Sequence, residues 1–417
     1  MRAKSDLVER SGDLKCALLD FSGRPCFTRP FRRAFERRFG GKAVVDDAEF
    51  SNFLDAFVLQ HRLPDGRTVV ELFVEEHPEL TEEERTLLLG WRDVVEGIFE
   101  VRQREGEALV VVNLVDELTY RVRSNMGPAV FRRLRPRSFL IARLVPVGDE
   151  WLLSGVSSVL PAAGRAEAHR LAAELAARHP ALVFRNPERL ALAWELQREE
   201  RRHFIAFFGS DLVVLPGHEV AERMRAYAHF RMHEVRDAEG KSAAEHTRET
   251  YGVAPPALDF GLPAELSEAE TVAVIYDEIE GLNFFLSFDM VEEAFANPEL
   301  TADRRHRQAV LGYLKDPSLS PLPLRRLAER DPERASRVFQ RALKQPSFLW
   351  ERDGEALLRR HKTSYFERPT LPSVTPIGGA LARAQLAAPA AGDSGPNRRR
   401  PARRSSRGAE GRSGRSR

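Results

Sequence analysis

Apolar and polar positions along the chain change period twice. In residues 46–60, Phe50, Phe53, Leu54, Phe57 and Val58 fall at i, i+3, i+4, i+7 and i+8, the stripe of an amphipathic helix. A turn at LPDGR leads into a second helix over 69–76. Thr81 and Glu84 have the spacing of a capping box that opens a third, running to about residue 95. From residue 97 the period drops to two. Strands are predicted over 98–104, 108–115, 118–123, 138–145 and 150–156, with turns at Glu105-Gly106 and Gly148-Asp149. Five short strands of this kind suit a small barrel of the SH3-like or OB-like type, a common binding platform.

Helical spacing returns at 163–178 and 187–202, where Asn186 and Pro187 form an N-cap and first-turn pair. Two segments then read as strand, turn, strand, helix. They are HFIAFFGSDLVVLPG before a helix over 219–235, and TVAVIYDEIEGLNFFLSF before a helix over 290–296. Two such units predict one four-stranded antiparallel sheet with helices on one face, joined by a polar surface loop over 236–263. Short helices over 304–314, 324–330, 332–344 and 353–361, with prolines at their joints, predict a helical cap. The fold class is therefore α+β in four parts. These are N-terminal helices over 1–96, the barrel over 97–161, an α+β domain with its cap over 162–368, and a Pro/Ala/Arg-rich tail over 369–417. That tail is expected to be disordered from about residue 384.

Composition changes this picture in one respect. With 64 Lys or Arg against 62 Asp or Glu, the chain is nominally +2, yet residues 398–417 hold nine arginines and only Glu410. The first 42 residues are also net basic, which leaves an acidic body between two basic ends. Any polyanion affinity is thereby expected at the ends rather than on the folded domains. In the tail, Arg398, Arg399, Arg400, Arg403, Arg404 and Arg407 are the candidate nucleic-acid contacts, because flexible arginines on phosphates release counterions without reading sequence. Near the other end, Phe27, Phe31, Phe35 and Phe39 repeat every fourth residue among arginines, and we read that stripe as core packing.

Catalytic chemistry is thinly represented. His229 and His233 stand four apart on one helical face and are candidate metal ligands, but Phe230 stands where the HExxH pattern needs Glu. Asp277, Glu278 and Glu280 follow an apolar strand, as carboxylates that hold Mg²⁺ in a phosphodiesterase do, and equally fit a polar hairpin turn. They define the alternative reading, a metal-dependent hydrolase or nuclease. Phosphate-loop, dinucleotide and GxSxG patterns are missing. Cys16 and Cys26 show neither metal nor disulfide-framework spacing. No cofactor is expected. No apolar run is long enough to span a membrane, and the charged N-terminus is unlike a secretory leader, so a cytoplasmic protein without membrane contact is expected.

Two stretches, FLDAFVLQHRLPDGRTVVELFVEE at 53–76 and FLIARLVPVGDEWLLSG at 139–155, carry a resemblance. Across residues 50–160 the chain resembles uncharacterised bacterial proteins associated with the SEC-C motif, a small Cys/His zinc-binding tail shared with the preprotein translocase motor. The zinc motif itself is absent here, and an arginine-rich end stands in its place. The resemblance implies a bacterial intracellular protein and transfers no site residues. The expected function is a non-enzymatic binding or adaptor protein, meeting nucleic acid through its tail and protein partners through its barrel.

Overall fold

A computed structural model of the chain describes residues 2–40, 42, 44–254 and 262–387. Five helices come first: α1 (Arg2–Ser22), α2 (Pro25–Phe39), α3 (Asp47–Gln60), α4 (Val69–Glu76) and α5 (Glu82–Gly90). Capping boxes at Thr68/Glu71 and Thr81/Glu84 open the last two, each satisfying two backbone N–H groups that the first helical turn leaves unpaired. The aromatic stripe of α2 does pack inward. Phe31 meets Phe57 at 5.1 Å between ring centroids, and Phe35 and Phe39 meet Phe53 at 5.5 and 5.4 Å. Arg29, Arg32, Arg33, Arg37 and Arg38 are left on the exposed face.

The next five strands are β1 (Val95–Glu105), β2 (Ala108–Asn113), β3 (Thr119–Arg123), β4 (Phe139–Val147) and β5 (Glu150–Leu160). They form a mixed sheet paired in the order β1-β2-β3-β5-β4, and β4 pairs back to β1. All contacts are antiparallel except β3 with β5, which is parallel and only two residue pairs long. Gly106 and Gly148 take positive φ of 62° and 60° at the two hairpins, where a side chain would be strained. Val95, Phe99, Val111, Tyr120, Val122 and Leu140 fill the inner side. Each such residue contributes about 1.5–3 kcal/mol of burial.

Asp116 organises the β2–β3 turn. Fully buried, its carboxylate accepts from Tyr120 Oη at 2.7 Å, Asn113 Nδ2 at 2.9 Å and the Leu118 N–H at 2.9 Å. Gly97 on β1 is required beside it, since a Cβ there would lie 2.3 Å from Asn113 Oδ1. At the other end of the sheet, the Asn52 side chain exchanges both backbone hydrogen bonds with Val156: Nδ2 donates to its carbonyl at 3.1 Å, and Oδ1 accepts from its N–H at 2.8 Å. Gly155 permits this approach with φ of 67° and no Cβ to strike Asn52.

Beyond the sheet, α6 (Arg165–Arg178) covers β1 and β4 with an alanine-rich face. Helix α7 (Pro187–Phe208), capped by Asn186 as the sequence predicts, runs further than predicted. Residues 203–208 are its last turns and not a strand. A continuous apolar run does not distinguish the two states, and here Phe204, Phe207 and Phe208 share one helical face until Gly209 ends the helix in the left-handed conformation. The second sheet consequently has three strands, β6 (Leu212–Pro216), β7 (Thr271–Asp277) and β8 (Gly281–Leu286), in the antiparallel order β6-β7-β8. Between β6 and β7 lie α8 (Gly217–His229), α9 (Ala243–Tyr251) and the short α10 (Ala264–Glu268). The predicted surface loop thus contains a helix, opened by a capping box at Ser242 and Glu245.

Helices cover both faces of this sheet, where one was expected. Val272, Val274 and Tyr276 pack towards α7 and α8. Ala273 and Ile275 face α11 (Phe288–Ala296), α12 (Arg304–Lys315), α13 (Leu322–Arg330), α14 (Pro332–Leu343) and α15 (Trp350–His361). The chain ends, among the described residues, with α16 (Thr363–Phe366) and α17 (Gly379–Ala387). Residues past 368 are part of the packing. Leu371, Ile377 and Leu381 join the cluster under α6, and the fully buried Gln197 of α7 accepts from the Ser373 N–H at 2.6 Å while donating to the Glu278 and Ile279 carbonyls.

Candidate nucleic-acid interface

Residues 118–148 contain seven arginines and no aspartate or glutamate. They run from β3 through a 3-10 turn at Pro128–Arg133 to β4. Phe131 and Leu134 are buried with the inner residues of the sheet and pin the connection across its end. Arg132, Arg133, Arg135 and Arg137 alternate with those anchors and are all exposed. The backbone holds them in place. Arg137 donates its N–H to the Val101 carbonyl at 2.8 Å, and Ser138 Oγ donates to the Arg135 carbonyl at 2.6 Å. From β1, Arg104 reaches over to the Pro128 carbonyl at 2.6 Å, bringing Arg102 and Arg104 to the same end.

Not every arginine of the run is available. Arg121 pairs with Glu105 and Glu150, Arg123 with Glu107 and Glu150, and Arg143 with Asp55 at 3.0 Å and Glu96 at 3.1 Å. Arg132, Arg133, Arg135 and Arg137 have no ion pair among the described residues. No aromatic ring of residues 118–148 is exposed, while Met126 and Val130 are. A surface of this kind offers donors of the type that meet phosphates and has no ring for base stacking. Summed charge over a long acidic body concealed it; a count over a shorter window would have found it.

The candidate carboxylates lie elsewhere and are already engaged. Asp277, at the end of β7, accepts the Ile279 and Glu280 N–H groups at 2.9 and 3.1 Å and pairs with Arg326 at 3.0 Å. Arg326 also pairs with Asp211 at 3.1 Å, and Asp211 with Arg201 at 2.5 Å. Burial alone would raise the Asp277 and Asp211 pKa values. For Asp277 the two N–H groups and Arg326 outweigh burial, and for Asp211 the two guanidiniums do, so both stay below the ordinary aspartate range. Glu280 accepts from Tyr365 Oη at 2.6 Å and Ser320 Oγ at 2.7 Å, and Glu278 is exposed on the turn.

His229 ends α8 and His233 lies in the following π-turn, their rings 4.7 Å apart. His229 Nδ1 is 3.4 Å from Glu234. The hairpin carboxylates belong to a different neighbourhood, the Arg326 network. Among the described residues no group of three or more His, Cys, Asp or Glu is placed to hold a metal ion. Cys16 and Cys26 are free and exposed on α1 and α2. Tail residues Arg398, Arg399, Arg400, Arg403, Arg404 and Arg407 lie outside the described residues. No helix among those described is long and apolar enough to cross a membrane.

Sequence reasoning also missed a buried ionic cluster between the N-terminal helices and the first sheet. Asp55 of α3 takes Lys15 of α1 at 2.5 Å, Arg143 of β4 at 3.0 Å and Ser154 Oγ of β5 at 2.6 Å. Burial would raise its pKa, but the two cations prevail and hold it lowered. Comparison with family models, with curated proteins and with solved structures finds no match to the chain.

Proposed function

We propose that the chain is a non-enzymatic nucleic-acid-binding protein of the bacterial cytoplasm, and that its five-strand sheet is an OB-like or SH3-like barrel. Its binding surface is the arginine-bearing connection between β3 and β4, with the arginine-rich tail as a second contact. The observation that carries this reading is the run 118–148, free of carboxylates and with four outward arginines left unmatched. Phosphate contact without exposed rings implies binding that ignores sequence and weakens steeply with salt. The bacterial compartment rests on the resemblance of residues 50–160, and protein partners on the barrel are compatible with the same reading.

Titration of a labelled single-stranded oligonucleotide across a salt series tests the proposal. Replacing Arg132, Arg133, Arg135 and Arg137 together by Ala is expected to weaken binding and to flatten the slope of log K against log salt by about 3, at about 0.7 per lost phosphate contact. Replacing the six tail arginines instead is expected to flatten it separately. An unchanged slope in the first variant would remove the β3–β4 connection from the interface.

A further inference from the structure

Beside the Asp55 cluster a cavity of about 330 Å³ opens between α1, α3 and β5. That volume is at the small end of the range that ligand sites occupy. Leu19, Leu54, Leu152 and Val156 give it apolar walls, and Phe50 and Val156 are partly exposed at its rim. Its polar lining is unbalanced in a definite direction. Both Asp55 oxygens are used, Oδ1 by Lys15 and Ser154 and Oδ2 by Arg143. Ser154 Oγ accepts from Lys15 at 3.2 Å while it donates to Asp55, and Ser11 donates to the Val8 carbonyl.

Ser51 and Asn125 also line the cavity and can both donate and accept, so the excess of donors lies with Lys15 and Trp91. Lys15 has three N–H bonds and two oxygen partners, and its Nζ stands 5.5 Å from the centre of the Trp91 ring. Trp91 lines the cavity, is 1% exposed, and its indole N–H has no acceptor among the described residues. A buried donor without an acceptor is costly, and the Trp91 N–H beside the Lys15 cation at one apolar cavity selects a ligand whose polar end accepts and is negatively charged. We propose that this cavity binds a small amphipathic carboxylate, its head on Lys15 Nζ and the Trp91 N–H and its apolar part along Leu19, Leu54 and Leu152. The cavity meets the β3–β4 connection at Asn125, but none of Arg132, Arg133, Arg135 and Arg137 lines it.

Octanoate is a suitable probe, with octylamine as its counterpart of equal length and opposite polarity. Calorimetry on the full chain is expected to show one-to-one saturable binding of octanoate and none of octylamine, and the Trp91 indole resonance is expected to shift on titration. Trp91→Phe keeps the ring volume largely intact and removes the donor. It is expected to weaken octanoate about ten- to hundredfold, the worth of one hydrogen bond to a charged acceptor. Leu54→Trp is expected to fill the cavity and abolish binding; should that variant fail to fold, Trp91→Phe and the indole resonance still decide. No saturable octanoate binding, equal binding of octylamine, or an affinity unchanged in Trp91→Phe would overturn the proposal.

Discussion

Arginine is put to opposite uses in the two sheets. Around the three-strand sheet, Arg201 and Arg326 are spent on Asp211 and Asp277, and the network ties α7, β6, the β7–β8 turn and α13 together. At the end of the five-strand sheet, Arg132, Arg133, Arg135 and Arg137 are held by buried neighbours and by backbone hydrogen bonds, and their guanidiniums meet no carboxylate among the described residues. Guanidiniums paired internally have their field cancelled at short range, whereas unmatched ones project it outward. Content of arginine therefore says little about partners; the local supply of carboxylates decides.

The comparison breaks most severely at Asp55. Asp55→Ala would leave Lys15 without a carboxylate and the buried Arg143 with only the exposed Glu96, making the inside of the five-strand region resemble its outside. A loss of about 3–5 kcal/mol is expected in chemical denaturation, because removing one partner of a buried pair exposes the full desolvation cost of the other. Arg326→Met does the same more gently to the three-strand region. Its carboxylates are partly solvated, so about 1–2 kcal/mol at neutral pH is expected.

Acidity sharpens the contrast. Asp277 and Asp211 have lowered pKa values, so the stability they confer is present above the ordinary aspartate range and is lost as pH falls through their depressed values. The deficit of Arg326→Met should accordingly shrink in acid. Asp116 is shifted the other way: burial raises it more than Tyr120, the Leu118 N–H and Asn113 lower it. Its contribution is complete below the ordinary aspartate range and is lost as pH rises through its raised value. Hydrogen exchange followed against pH is expected to show these opposite trends at the β7–β8 turn and at the β2–β3 turn. Smallest of all, the fourfold Arg132, Arg133, Arg135 and Arg137 replacement is expected to leave the melting midpoint unchanged while binding weakens, since exposed unpaired side chains contribute little to folding.

Local chemistry explains which parts of this were legible in the sequence. Capping residues at Thr81 and Asn186, the hairpin glycines Gly106 and Gly148 and the α2 phenylalanines all act over a few residues, and each is found as read. Residues 203–208 misled because an unbroken apolar run has no period, and only the extension of α7 decides its state. The Asp55 cluster joins residues 40, 88 and 99 positions apart, a proximity that no pattern along the chain encodes. The arginine surface was within reach, but averaging charge over the whole body hid it.

Asn52 has a consequence for how the molecule meets copies of itself. Strand β5 pairs with β3 only at Trp151 and Leu152, so its later residues, with Val156 and Val159 about half exposed, form an apolar edge open to an incoming strand. The amide of Asn52 occupies the N–H and carbonyl of Val156, the pair of bonds that an antiparallel neighbour would exchange there. A single side chain from α3 thus acts as a blocking group against edge-to-edge aggregation.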